Sequence, residues 1–359
     1  MANAGLEGVV VAETRLSRVD GQAGRLVVRG HDVEKLAGVL PFEAVCGLLW
    51  DGDPKRGEAL GPALGAARVE AFEQLAATGD ALEAPDGMDA LRAALAHLRG
   101  DAAEDPLRIS AAVGVVTAAW ARHVVGAAPL EPDPQRPHAE DVLRMALGRE
   151  PEPERAAALD AYLVTVAEHG MNASTFTARV VASTGSDCGS AVVAALGALK
   201  GPLHGGAPGP VLDMLDAIGT PGSARAWLEA ELDAGRRVMG LGHRVYRVRD
   251  PRASVLERRV ELLRRAGMGG ERLALAREVE RIAVEVLRAR HPERRLDTNV
   301  EFYTAVLLDA VGLPRALFTP TFAVARVAGW LAHVAEQREA GRIIRPSCHY
   351  VGPEPRVAA

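Results

Sequence analysis

The chain has 359 residues and a formal net charge of −5, its 42 basic and 47 acidic side chains interspersed, so it can bury a large core and offers no basic face to nucleic acid or anionic membrane. Apolar residues make up 48% but aromatic ones only 4%, so the core must be built from Ala, Val and Leu, which favours closely packed helices. Three widely separated cysteines, Cys46, Cys188 and Cys348, in no Cys-x-x-Cys spacing oppose a disulfide framework or zinc ribbon and suit a reducing, cytoplasmic setting.

The opening Met1 to Glu7 lacks the basic and apolar regions of a secretory signal, and no run reaches the ~18 consecutive apolar residues of a membrane span. Residues 5–30 are rich in Val, Thr and Gly. They predict a β-hairpin with strands Val9–Thr14 and Arg25–Val28 and a turn at Asp20–Gly24. From Pro41 the period becomes helical, with Phe42, Val45, Leu48 and Leu49 on one face and a stop at Gly52-Asp53-Pro54. Residues 59–125 predict several Ala/Leu helices broken near Gly79, Pro85, Gly100 and Pro106. Four prolines within Pro129–Pro137 make a loop.

A helix follows Pro153 with Leu159, Tyr162, Leu163 and Val166 on one face. Ser174 is expected to cap a helix through Val181, and a small-residue helix runs from Ser190 to Lys200. Residues 209–300 are dense in Arg, Glu and Leu. Val255–Arg265 and Glu271–Arg290 there read as amphipathic helices with solvated charged faces, marking a second domain. Thr319 as N-cap and Pro320 in the first turn open a long helix ending at Gly341. Its Phe322, Ala325, Ala328, Gly329 and Ala332 allow close helix approach, and Arg326 beside them is expensive to bury without an anionic partner.

Three histidines stand next to glycines: His169 before Gly170, His204 before Gly205-Gly206, and His243 after Gly240-Leu241-Gly242. Each alone reads more readily as a core or surface histidine; three together point to a site. Gly201 to Ala207 in particular combines glycines, which admit close backbone approach, with one titratable group, His204. Arg244, Arg247, Arg249 and Arg252 follow His243, and guanidinium groups hold carboxylates or phosphates in planar pairs. Their other reading is pairing with the many glutamates, which is favoured for Arg244 and Arg249. Glu301 heads an apolar helical segment, where it is either a charged cap or a desolvated general base. A metal site is disfavoured, because no histidine pair has helical or Cys/His ligand spacing.

The blocks Gly5-Leu6-Glu7-Gly8-Val9-Val10, Gly24-Arg25-Leu26 with Arg29-Gly30-His31-Asp32, Ala167 to Ser174, Gly201 to Ala207, Gly240 to Arg252, Asn299-Val300-Glu301, Ala325 to Trp330 and Arg345-Pro346 together resemble citrate synthase, in the family's order. Only the stretch from about 56 to 155 carries no such block. The resemblance implies an all-α fold with a short N-terminal β-hairpin. A large helical domain would comprise residues 1–207 and 318–359, and a small inserted helical domain residues 208–317. It also implies a homodimer, more like the simple dimeric members than the larger regulated hexamers.

The implied reaction condenses acetyl-CoA with oxaloacetate and hydrolyses the thioester to citrate and CoA, with no metal or redox cofactor. By motif, His204 would stabilise the enol, Glu301 would take the methyl proton and His243 would polarise the ketone. His169, Arg252, Arg326 and the partner's Arg345 would hold oxaloacetate, Asn172 would line the site, and Arg247 would meet the CoA phosphates. The family's base is usually Asp. Glu301 moves the carboxylate by about 1 Å, on the order of 100-fold in rate if uncompensated. Propionyl-CoA as substrate, giving 2-methylcitrate, and a non-catalytic ligand-binding dimer are the alternatives.

Overall fold

The Ala/Leu-rich composition resolves into a helical protein in a computed structural model that describes residues 5–6, 8–205, 208–243 and 245–353. Glu7, Gly206, Ala207 and Arg244, each named above, lie outside the described residues. The helices run in chain order as α1 (Val33–Leu36), α2 (Phe42–Asp51), α3 (Gly57–Glu73), α4 (Gly87–Leu95), α5 (Asp101–Glu104), α6 (Pro106–Val124), α7 (His138–Leu147) and α8 (Pro153–Val166). Then come α9 (Ala173–Ala182), α10 (Cys188–Leu199), α11 (Pro208–Ile218), α12 (Ala224–Asp233), α13 (Pro251–Arg265), α14 (Gly270–Arg290), α15 (Val300–Val311) and α16 (Phe318–Ala340). No described helix is long and apolar enough to cross a membrane.

The N-terminal hairpin is present but displaced. Its strands are β1 (Ser17–Asp20) and β2 (Arg25–Val28), and a short β3 (His31–Asp32) adds a third, antiparallel throughout. The expected turn survives because Asp20 Oδ1 accepts the Gln22 and Ala23 N–H groups (3.2 and 2.9 Å). That turn pairs Asp20 with Arg25, which fixes the first strand at 17–20 and leaves Val9 and Val10 exposed instead of in the sheet.

Two expected caps are also corrected. Helix α9 is capped by Asn172, whose Oδ1 accepts the Thr175 N–H (3.1 Å), and Ser174 already lies inside the helix. Helix α16 begins at Phe318, one residue before Thr319, because a 3₁₀ turn over Arg315–Leu317 feeds the helix directly. Thr319 Oγ1 instead donates to Gly205 O (2.9 Å), tying the helix start to the His204 stretch.

Helix α16 crosses the middle of the molecule against α2, α6, α8, α9 and α10, while α13 and α15 pack on one another and onto α8. Helix α8 therefore joins the chain before residue 208 to the chain after it. The small-residue face of α16 does what its composition demands. A Cβ on Gly329 would stand 2.3 Å from Ala167 O and 2.7 Å from Glu168 Oε2. Gly329→Ala is accordingly expected to destabilise the fold by about 1–3 kcal/mol in urea unfolding, an overpacking effect; an unchanged midpoint would contradict this packing.

Candidate active site

Five segments converge: the α8–α9 loop, the turn after α10, the loop before α13, the start of α15, and the buried face of α16. The third and fourth are zipped together. Asn299 N donates to Gly240 O (3.0 Å), Gly242 N to Asp297 O (2.8 Å), and Asp250 N to Thr298 O (3.0 Å). Asn299 closes the seam twice, its Nδ2 donating to Gly242 O (2.9 Å) and its Oδ1 accepting the Glu301 N–H (3.0 Å) as the α15 cap. Gly240 has φ +76° and a Cβ there would meet Phe302 Cβ at 2.8 Å, so only glycine lets the His243 loop approach the Glu301 helix this closely.

The His243 ring is oriented by its own loop. Its Nδ1 accepts from Val245 N (2.9 Å) and Tyr246 N (3.1 Å), so the neutral ring carries its proton on Nε2. His169 meets it edge-on at 5.9 Å between ring centroids. Tyr246 completes a triangle with them, 4.8 Å from His243 by centroids and with its hydroxyl 3.1 Å from His169 Nε2. Tyr246 lies inside the Gly240 to Arg252 block but was not singled out in sequence, because a buried tyrosine is ordinary core until its neighbours are known.

His204 sits in the turn after α10, where its N–H donates to Gly201 O (2.9 Å) and the Gly205 N–H to Leu199 O (3.0 Å). Its Nε2 is 2.8 Å from Ser174 Oγ. That hydroxyl also accepts from Trp330 Nε1 (3.1 Å) and lies 2.8 Å from Asn172 Oδ1. One hydroxyl proton serves either Asn172 or His204, and the choice sets the His204 tautomer. Phe322 packs edge-on to His204 at 6.2 Å and carries the Arg326 guanidinium over its ring at 4.8 Å.

Two arginines are buried here, Arg252 (3% exposed) and Arg326 (1%). Arg252 grips Asp250 with two bonds, Nε to Oδ1 (3.1 Å) and Nη2 to Oδ2 (2.7 Å). Arg326 makes one hydrogen bond among the described residues, from Nε to Val166 O (2.6 Å). Burial, with Arg252 adding repulsion and Glu168 opposing, brings its guanidinium down to about 10. Burial, then Arg326, pushes His204 down to about 4. Burial and Arg252 do the same to His243, also about 4, and burial with both arginines holds His169 well below the usual imidazole range. All three are neutral at pH 7. Burial raises the Glu301 carboxyl to about 7 against the pull of Arg252 and Arg326.

Glu168 anchors the His169 loop from below. Its Oε1 accepts from Gly170 N (2.6 Å), Ser17 Oγ (2.7 Å) and His333 Nε2 (3.1 Å). Because Arg179 Nη1 donates to His333 Nδ1 (3.0 Å), the His333 proton lies on Nε2, facing Glu168. Sequence reading quoted Glu168 only as part of its block.

The structure thus gathers His169, Asn172, His204, His243, Arg252, Glu301 and Arg326. It does not bring in Arg345, which is exposed beyond α16, and Arg247 is exposed with its N–H bound to Gly21 O (2.8 Å). Arg249 is paired with Glu280 (2.8 Å) and Glu257 (2.9 Å), the glutamate pairing favoured for it in sequence. Among the described residues no three His, Cys, Asp or Glu side chains are grouped to hold a metal ion.

Known proteins share this arrangement of sequence and fold. The family model described as "Citrate synthase, C-terminal domain" matches residues 5–347. A putative citrate synthase 2 of Mycobacterium tuberculosis is 41% identical over 98% of this chain and 93% of its own, and a 2-methylcitrate synthase of the same organism is 37% identical over 98% and 91%. Citrate synthase of Thermotoga maritima superposes with a TM-score of 0.87 at 34% identity, covering 100% of this chain and 98% of that one. Citrate synthase of Thermoplasma acidophilum, solved with carboxymethyl coenzyme A and oxaloacetate, gives 0.88 at 28% identity over the same shares. The matched model spans nearly the whole chain and so do the relatives: the chain belongs to the citrate synthase family of acyltransferases.

Proposed function

We propose that this protein is a citrate synthase, joining the methyl carbon of acetyl-CoA to the ketone carbon of oxaloacetate and hydrolysing the resulting thioester to citrate and CoA. The observation that carries the reading is the pairing of two buried guanidinium groups with three neutral imidazoles and one carboxyl raised to about 7. Arg252 and Arg326 keep donors free for a dicarboxylate, with His169 and Asn172 beside them and Arg345 reaching over from a second subunit of a homodimer. Arg247 meets the CoA phosphates. Residues 208–317 act as the small domain on a large domain of 1–207 and 318–359. The three free cysteines suit a cytoplasmic location.

In the first step Glu301 takes a methyl proton, and the electron pair moves onto the thioester oxygen. His204 supports that charge by donating from Nδ1, the tautomer obtained when Ser174 Oγ donates to Nε2. A neutral imidazole suits this task, being matched in acidity to an enol. The enol carbon then attacks the ketone, whose oxygen receives the proton from His243 Nε2. Water cleaves the thioester and releases the thiol. The water proton goes to the departing sulfur and the proton on Glu301 makes good the one His243 gave, so the scheme calls for no metal or redox group. The 2-methylcitrate synthase relative favours one second reading, propionyl-CoA as the donor, since one methylene in a pocket is worth only ~1–3 kcal/mol.

Thiol release from acetyl-CoA and propionyl-CoA with oxaloacetate tests the assignment, and none from either would sink it. Glu301→Gln is expected to lower kcat by about 10²–10⁴-fold. Wild-type kcat/KM should rise with pH through about 7, because the base acts only when ionised. The same raised carboxyl binds a proton more tightly folded than unfolded. It therefore weakens the fold as pH climbs from its ordinary range through about 7. Glu301→Gln should thus be more stable than wild type at pH 8, by roughly 1–3 kcal/mol, with the difference gone near pH 4. Ser174→Ala frees the His204 tautomer and should lower kcat about 10- to 100-fold with little change in oxaloacetate KM; an unaltered kcat would refute the tautomer role.

A further inference from the structure

The N-terminal sheet carries none of the reacting groups, yet it touches both histidine loops. On one side Ser17 Oγ donates to Glu168 Oε1 (2.7 Å), and Gly170 packs against Val19, its nearest approach 3.5 Å from a Cβ position to Val19 Cγ2. On the other side the β1–β2 turn is pressed onto residues 245–248. Gly21 O accepts the Arg247 N–H at 2.8 Å. A Cβ on Gly21 would stand 2.1 Å from Val245 O, and one on Gly24 2.6 Å from Val248 Cγ2. Backbone meets backbone at Gly21, so nothing larger than hydrogen fits without moving the loop.

That loop is where the ring orientations are set. Val245 N and Tyr246 N hold His243 Nδ1, and the Tyr246 hydroxyl holds His169 Nε2. The peptide groups on either side of Tyr246 are the ones that face Gly21. We infer that the β1–β2 turn is a brace, with Gly21 as a positioning residue that sets the 245–247 backbone and through it the His243 ring and the Tyr246–His169 contact. The inference rests on the condensing-enzyme reading for its kinetic consequence, but its structural content stands apart from it. Simple packing of a turn on a loop would predict lost stability alone; a brace predicts a loop that loosens and a ketone that is mispositioned.

The test compares Gly21→Ala with Gly30→Ala, a control in the same sheet where a Cβ would meet nothing within 4 Å although φ is +86°. Amide exchange followed by mass spectrometry on the full-length protein is expected to quicken about tenfold over residues 245–247 in Gly21→Ala and to stay unchanged there in Gly30→Ala. In steady-state assays Gly21→Ala should lose about 10- to 100-fold in kcat/KM for oxaloacetate, and Gly30→Ala should not. Gly24→Ala supplies a second arm that remains informative if Gly21→Ala fails to fold. Its loss of kcat/KM should be recovered by Val248→Ala, which removes the clashing methyl, while its lowered melting temperature should not be recovered, because the strain of φ +63° remains. Unchanged exchange at 245–247 in folded Gly21→Ala, equal kinetic loss in both glycine variants, or no recovery in the double variant would overturn the brace. A wild type without turnover would sink the enzyme reading alone, since the exchange comparison still decides the brace.

Discussion

Everything in this site answers to two guanidinium ions held out of water. Taking such an ion out of solvent costs several kcal/mol unless partners offset it, and two close together also repel. Arg252 is largely compensated by its two bonds to Asp250. Arg326 is not: among the described residues it has a carbonyl at Val166, the Phe322 ring, and the more distant charges of Glu168 and Glu301. Burial, added to by the positive field of these arginines, keeps three imidazoles neutral.

Glu301 is balanced between opposing effects. Burial drives its carboxyl up and the arginines draw it down, leaving it near neutrality. A carboxyl held there exchanges its proton within the ordinary working range of pH. The helix position contributes, since Glu301 lies in the first turn of α15, where the macrodipole steadies its charged form. That helix start is bonded directly to the His243 loop through Asn299, so Glu301 and His243 are referenced to a single seam.

Economy of capping recurs. Asn172 and Asn299 each cap a helix and each also bond a loop that bears a histidine. Sequence reading placed the first cap at Ser174 because serine is as good a cap as asparagine, and the two sit two positions apart. Only the fold shows that Ser174 is committed to His204, Trp330 and Asn172. Likewise Thr319 has the composition of an N-cap, but the preceding turn already has helical backbone, which frees its hydroxyl for Gly205. Local patterns of this kind name the residue type a position needs, while the partner it meets comes from another part of the chain.

The sequence by itself determined the helical class, through an Ala/Leu-rich core poor in aromatics, the extent of the long helix α14, and the identity of the clustered histidines, arginines and Glu301. These depend on side-chain periodicity and on glycine and proline punctuation, which are local. Tertiary structure decided that Arg249 pairs with glutamates while Arg326 is buried against a carbonyl, which ring nitrogen of His243 carries the proton, and that Tyr246, Ser174 and Glu168 bond the histidines and their loops. It also decided where the first strand lies. Some of these contacts are local, such as the backbone N–H groups of Val245 and Tyr246 on His243, but others join residues as far apart as Glu168 and His333, and burial, which shifts every acidity in the site, exists only once those distant segments have closed around it.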